Sequence, residues 1–168
     1  MPTILAEAAR AGNWLLLAAV TAALLLFVLC AVVLVVTDLR EHRLPNRWTG
    51  LLAGGGAVTL GVACLADDAG WSRLWSMVGG GAAYLALMLV LHLISRTGMG
   101  MGDVKLGGGL GIYAGWLGWD HLWGAVVLGF IAGGVVALAL VLTRRATGST
   151  HLPFGPAMVM GAALAFLL

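Results

Sequence analysis

Six stretches of this 168-residue chain read as membrane spans, and five of them hold no Lys, Arg, Asp or Glu at all. They are residues 15–37, 48–66, 74–95, 104–119, 122–143 and 152–168. A helix rises about 1.5 Å per residue, so about 20 apolar residues cross about 30 Å of hydrocarbon. The fourth stretch is the short one, with an uncharged core at residues 106–119. Hydrophobic residues make up 61% of the chain and charged ones 10%, against roughly 45–50% and about 25% in a soluble domain. With a mean hydropathy of +1.03, a water-soluble fold of this size could not cover its own apolar surface. The chain is therefore expected to be an all-α polytopic membrane protein, a single domain over residues 1–168 built as a bundle of six transmembrane helices. The first stretch follows Arg10 as a signal peptide would, but it exceeds the usual apolar length of about 7–15 residues and ends in a charged segment. It reads as a permanent span.

Short connections leave no room for a soluble domain, and no internal repeat or low-complexity linker is visible. With six spans, the first, third and fifth connections share one side. That side carries Arg40, Arg43, Arg47, Arg96, Lys105, Arg144 and Arg145, and the other carries only Arg10 and Arg73. Such an excess places the first side in the cytoplasm and both termini outside. The basic side chains suit anionic lipid headgroups, at about 1 kcal/mol each. Trp14, Trp48, Trp71, Trp75, Trp116, Trp119 and Trp123 fall near span ends, as an interfacial aromatic belt would. The formal net charge of +2 is too weak and scattered for nucleic acid. Cys30 and Cys64 lie inside apolar runs with no C-x-x-C and no metal-ligand spacing, so neither a disulfide framework nor a metal or organic cofactor is implied. Gly107, Gly111 and Gly115 recur every fourth residue, as do Gly129 and Gly133, a spacing that lets helices approach closely.

The seven acids can be sorted by side. Glu7 lies in the outer tail and Asp67, Asp68 and Asp120 in outer connections, whereas Asp38, Glu41 and Asp103 lie on the cytoplasmic side. Asp38 closes the first span and Asp103 opens the fourth, so span parity alone brings them to the same membrane face across 65 positions of sequence. Counting about 20 residues back from Trp119 sets Asp103 slightly inside the apolar layer. An ionisable group there costs roughly 2.5–3.5 kcal/mol unless it faces protein or water, and is a functional candidate by default. Gly98, Gly100 and Gly102 suit irregular backbone at that depth. Asp103 also suits a helix cap paired with Lys105 or Arg96.

Two converging carboxyls share one proton, because like charges close together cannot both ionise comfortably. The ionised member can then take a proton from water while the protonated one donates to a carbonyl oxygen, which is enough to hydrolyse a peptide bond. Ser72, Ser76, Ser95 and Ser149 have no nucleophile-elbow setting, and His92 and His151 read as lone polar neighbours.

Three motifs on these residues resemble the type IV prepilin peptidases, membrane aspartic proteases that include the archaeal preflagellin peptidases. Asp38 is followed by Leu44-Pro45-Asn46, Gly100-Met101-Gly102-Asp103-Val104-Lys105-Leu106 is similar to the G-x-G-D-x-K signature, and Pro153-Phe154-Gly155-Pro156 is similar to the motif that opens the last span. The likeness covers about residues 20–168. It implies removal of the short basic leader from prepilin-like proteins, just after a glycine, at the cytoplasmic face of a prokaryotic inner membrane. The catalytic pair maps onto Asp38 and Asp103, with the last-span motif bordering the site. The chain lacks the cytoplasmic insertion with paired cysteines of the long bacterial form and resembles the short, peptidase-only members. From the residues themselves, Pro45 either turns the chain back toward Asp38 or merely ends a loop. Lys105 either neighbours Asp103 or reaches lipid phosphate, Pro153 and Pro156 suit a helix's first turn, and Glu41 is a candidate for holding a basic leader. The rival reading is a small proton-coupled transporter using Asp38 and Asp103 as a relay. A family member retained as an inactive assembly subunit is a third.

Overall fold

The computed structural model describes residues 1–95, 99–143 and 154–167, and among these it forms seven helices and no strand. They are α1 Pro2–Arg10, α2 Trp14–Glu41, α3 Asn46–Leu65, α4 Gly70–Ile94, α5 Met101–Leu117, α6 Trp119–Leu142 and α7 Gly155–Ala165. α2, α3, α4 and α6 are long and apolar enough to cross a membrane, as expected of a polytopic membrane protein, and α7 is a shorter apolar helix. α1 is a departure, since residues 1–10 read as a tail. It turns Met1 and Ala8 inward and leaves Glu7 and Arg10 exposed.

Local chemistry sets the helix ends. The Asn13 side chain caps α2 by accepting from the Leu16 amide at 3.1 Å, and its own amide donates to the Ala66 carbonyl at 2.6 Å. α2 continues four residues beyond Thr37 and stops at His42, whose left-handed φ of 51° ends the ladder. Pro45, extended, opens α3. α5 ends at Leu117 rather than Trp119, because Gly118 takes a φ of 133° that a side chain would oppose, and α6 starts directly after it.

α5 is the centre of the bundle, with Val104, Leu106, the five residues Gly107 to Gly111, Tyr113, Ala114 and Trp116 all buried. α4 lies along it at backbone distance. A Cβ on Gly80 would lie 2.7 Å from the Gly115 Cα, and one on Gly111 would lie 2.9 Å from the Tyr84 Cβ. Close dispersion contact of this kind replaces the hydrophobic drive that lipid cannot supply. Gly133 does the same for α6 against the Phe154 ring before α7, where a Cβ would come within 2.6 Å. On α2 the buried residues Leu16, Val20, Ala23, Phe27, Cys30, Leu34 and Asp38 form one stripe at helical spacing, so the acid continues the core-facing row.

Trp14, Trp71, Trp75, Trp119 and Trp123 are exposed near helix ends. Trp116 is not part of such a belt. It is 1% exposed, donates its indole N–H to the Cys64 sulfur at 3.2 Å, and lies under the Arg73 guanidinium at 4.7 Å.

Candidate functional site

The site stands where the C-terminal end of α2, the α2–α3 turn and the N-terminal ends of α5 and α7 meet. Asp38 and Asp103 are 5% and 9% exposed, and both line one polar cavity of about 410 Å³. They are the only buried acids among the described residues.

Each carboxylate is held by a backbone amide. Asp38 Oδ2 accepts from the Gly155 N–H at 3.1 Å, one of the free amide donors at the start of α7. Gly155 has no room for a side chain, because a Cβ would lie 2.7 Å from that oxygen and 3.4 Å from Leu44 Cδ2. Asp103 occupies the third position of α5. Its Oδ2 accepts from the Gly100 N–H at 3.2 Å, while its own amide donates to the Gly100 carbonyl at 3.1 Å. Asp103 is thus a helix cap and a cavity wall at once.

The motifs described above converge unequally. Gly100 is the extended residue before α5, whereas Gly102 lies within its first turn. Gly102 is small because Leu44 Cβ sits 2.9 Å from where its own Cβ would be. Gly98 lies outside the described residues. Lys105 lines the cavity without pairing with Asp103. Its ammonium donates to Asn46 Oδ1 at 2.8 Å, tying α5 to the first residue of α3. Pro45 is not among the cavity-lining residues, and its carbonyl accepts from the Trp48 amide at 3.0 Å to start α3. Pro156 stands in the first turn of α7 and lines an apolar recess away from the acids. Pro153, His151 and Arg96 lie outside the described residues. Glu41, the last residue of α2, is exposed and not part of the cavity wall.

Two contributors have roles that the sequence did not specify. Leu44 wedges between Gly102 and Gly155 and so sets the spacing of α5 and α7. His42 ends α2 with its amide 3.0 Å and its ring Nδ1 3.1 Å from the Asp38 carbonyl. Leu44 stands in the Leu44-Pro45-Asn46 motif, with no sign there of the two glycines it meets, and His42 lies outside all three motifs. His92, by contrast, has a plain structural role, with its Nδ1 2.7 Å from the Met99 carbonyl in the connection leading to α5.

A polytopic helical bundle with two buried acids facing one cavity is the class defined by this fold and site. The chain belongs to the type IV leader peptidase family, which residues 24–138 match. It is similar to the prepilin leader peptidase/N-methyltransferase of Aeromonas hydrophila, at 36% identity over 155 residues covering 88% of this chain and 49% of the relative. The protein of the same name from Burkholderia pseudomallei strain K96243 is 33% identical over 152 residues, covering 84% of this chain and 45% of that one. That of Neisseria gonorrhoeae is 37% identical over 125 residues, covering 73% and 38%. The chain spans about half the length of the first of these relatives. No solved structure is a significant match.

Proposed function

We propose that the chain is a membrane aspartic endopeptidase that removes the short basic leader of prepilin-like precursors at the cytoplasmic membrane face. The observation that carries this is the meeting of Asp38 and Asp103 in one cavity, in a member of the type IV leader peptidase family. The pair holds one proton between its two carboxyls. The ionised carboxyl takes a proton from water, whose oxygen adds to the scissile carbonyl carbon, while the other carboxyl donates its proton to the carbonyl oxygen. Collapse of the resulting diol breaks the C–N bond and returns a proton to the departing amine. The two acids act as one titrating unit, so base and acid duties belong to the pair. The Gly155 and Gly100 amides aim the carboxylates, and the Lys105–Asn46 bond fixes the mouth of the cavity.

In this reading α2 to α7 are the six spans, both termini lie outside, and the basic connections contact anionic lipid on the cytoplasmic side. The test is coexpression with a prepilin-like precursor and a gel that follows leader removal. The mobility shift should appear with the wild-type protein and be absent with Asp38→Asn or Asp103→Asn at equal membrane abundance. Cleavage retained in either variant would remove that acid from the mechanism.

A further inference from the structure

The Lys105–Asn46 hydrogen bond borders two spaces. On one side is the cavity of the acids, and on the other is an apolar concavity of about 470 Å³ that both residues also line. This groove runs between α3 and α4 with α5 as its floor, past Gly50, Ala53 and Ala57 on α3, Ala82 and Leu85 on α4, and Gly108 on α5. α3 and α4 each pack on α5 but touch one another little, which leaves the groove open along its length. From Asn46 to Ala57 it extends roughly 17 Å, at the helical rise of about 1.5 Å per residue.

The glycines of the groove differ. Gly108 is needed for internal packing, since a Cβ there would lie 2.9 Å from Leu85 Cδ1. Gly50 is not, since a Cβ there would meet nothing within 4 Å. Gly54 and Gly61 on α3 and Gly134 on α6 are equally open, so Gly50 leaves room in the groove without by itself marking an occupant. The groove also has one polar end, and that end adjoins the two acids. A second apolar recess, between α2, α6 and α7, shares no lining residue with the acid cavity among the described residues and offers no such passage.

We propose that the groove between α3 and α4 seats an uncharged transmembrane helix of the substrate, entering sideways from the bilayer and leading the scissile bond past Lys105 and Asn46 to the acids. This rests on the peptidase reading and adds where the membrane-embedded part of the substrate is held. A helix fits better than an acyl chain because small side chains at helical spacing wall the groove and its polar end leads to the reacting groups.

Crosslinking in membranes tests it without requiring cleavage. The Asp38→Asn protein is coexpressed with a prepilin-like precursor whose leader is followed by an apolar helix carrying single cysteines, and a short bis-maleimide is added. Gly50→Cys, Ala53→Cys and Ala57→Cys should each give adducts at precursor positions three or four residues apart. Val28→Cys, on the exposed face of α2, should give none, and the native Cys30 and Cys64 are buried. With both acids intact, Gly50→Leu should lower the ratio of precursor cleavage to cleavage of a leader-and-junction peptide about tenfold, by filling the groove. No adduct at Gly50→Cys, as when lipid fills the groove, or equal adducts at Val28→Cys, would overturn the proposal, and so would an unchanged ratio. Failure of the wild-type protein to cut either precursor or peptide would instead defeat the peptidase reading, and the crosslinks would still decide the groove.

Discussion

Asp38 lies in the last turn of α2 and Asp103 in the first turn of α5, at opposite ends of two helix dipoles. The amino end of α5 favours a negative charge, and the Gly100 amide three residues back supplies the hydrogen bond. Asp103 is therefore settled by its own segment. The carboxyl end of α2 disfavours a negative charge, and although His42 and Arg40 stand nearby, no donor close in sequence hydrogen-bonds the Asp38 carboxylate among the described residues. Its donor, Gly155, comes from 117 positions away at the amino end of α7. One acid is thus held locally and the other by tertiary packing, so the two should fail in different ways when their surroundings are altered.

The largest effect treats the acids alike. Asp38→Asn and Asp103→Asn should each slow leader removal by about 10²–10⁴-fold, the usual range for a lost acid–base group, with the precursor gel as readout. A difference of more than about tenfold between them would mean that the pair does not act as one unit. The next change separates them. Gly155→Val forces a side chain against Asp38 Oδ2, and an overpacking penalty of about 1–3 kcal/mol corresponds to roughly 5- to 150-fold slower cleavage. A melt in detergent should show the same variant losing stability, because α7 must shift. Lys105→Met removes one hydrogen bond between α5 and α3, worth about 0.5–1.5 kcal/mol, and should cost cleavage a factor of about 2 to 10. Gly100→Ala should do least, within about twofold. A Cβ there would lie 3.6 Å from Asp103 Oδ2, an ordinary contact, and the backbone φ of −77° suits any residue. A large loss in Gly100→Ala, or none in Gly155→Val, would reverse the distinction between a locally held acid and a tertiarily held one.

The same division governs how much could be read in advance. The apolar runs marked out the helices because lipid tolerates little else, and the run ends were off by a few residues where caps decided the matter, as at His42 and Gly118. α1 escaped notice because ten residues without a long apolar run carry no membrane signal. Which face of α2 turns inward was unreadable, since nearly every position on it before Asp38 is apolar and periodicity has nothing to contrast. Trp116 resembled the other tryptophans by position, yet Cys64 and Arg73 draw it inside. Lys105 was legible as a neighbour of Asp103 in sequence, but its bond goes to Asn46, a partner 59 positions away.

What the chain determined by itself was the set of long apolar helices, the parity that sends both acids to one end, and the place of Asp103 in a helix's first turn. Those follow from short windows, because hydropathy and hydrogen bonds between residues three or four apart need no distant partner. Only the folded bundle decided that Gly155 would reach Asp38, that Leu44 would wedge between two glycines, and that α3 and α4 would part over α5 to leave a groove. Each depends on how several apolar helices pack in a solvent that does not distinguish their faces. Close fit of backbone to backbone, set by where side chains are absent, then selects the arrangement.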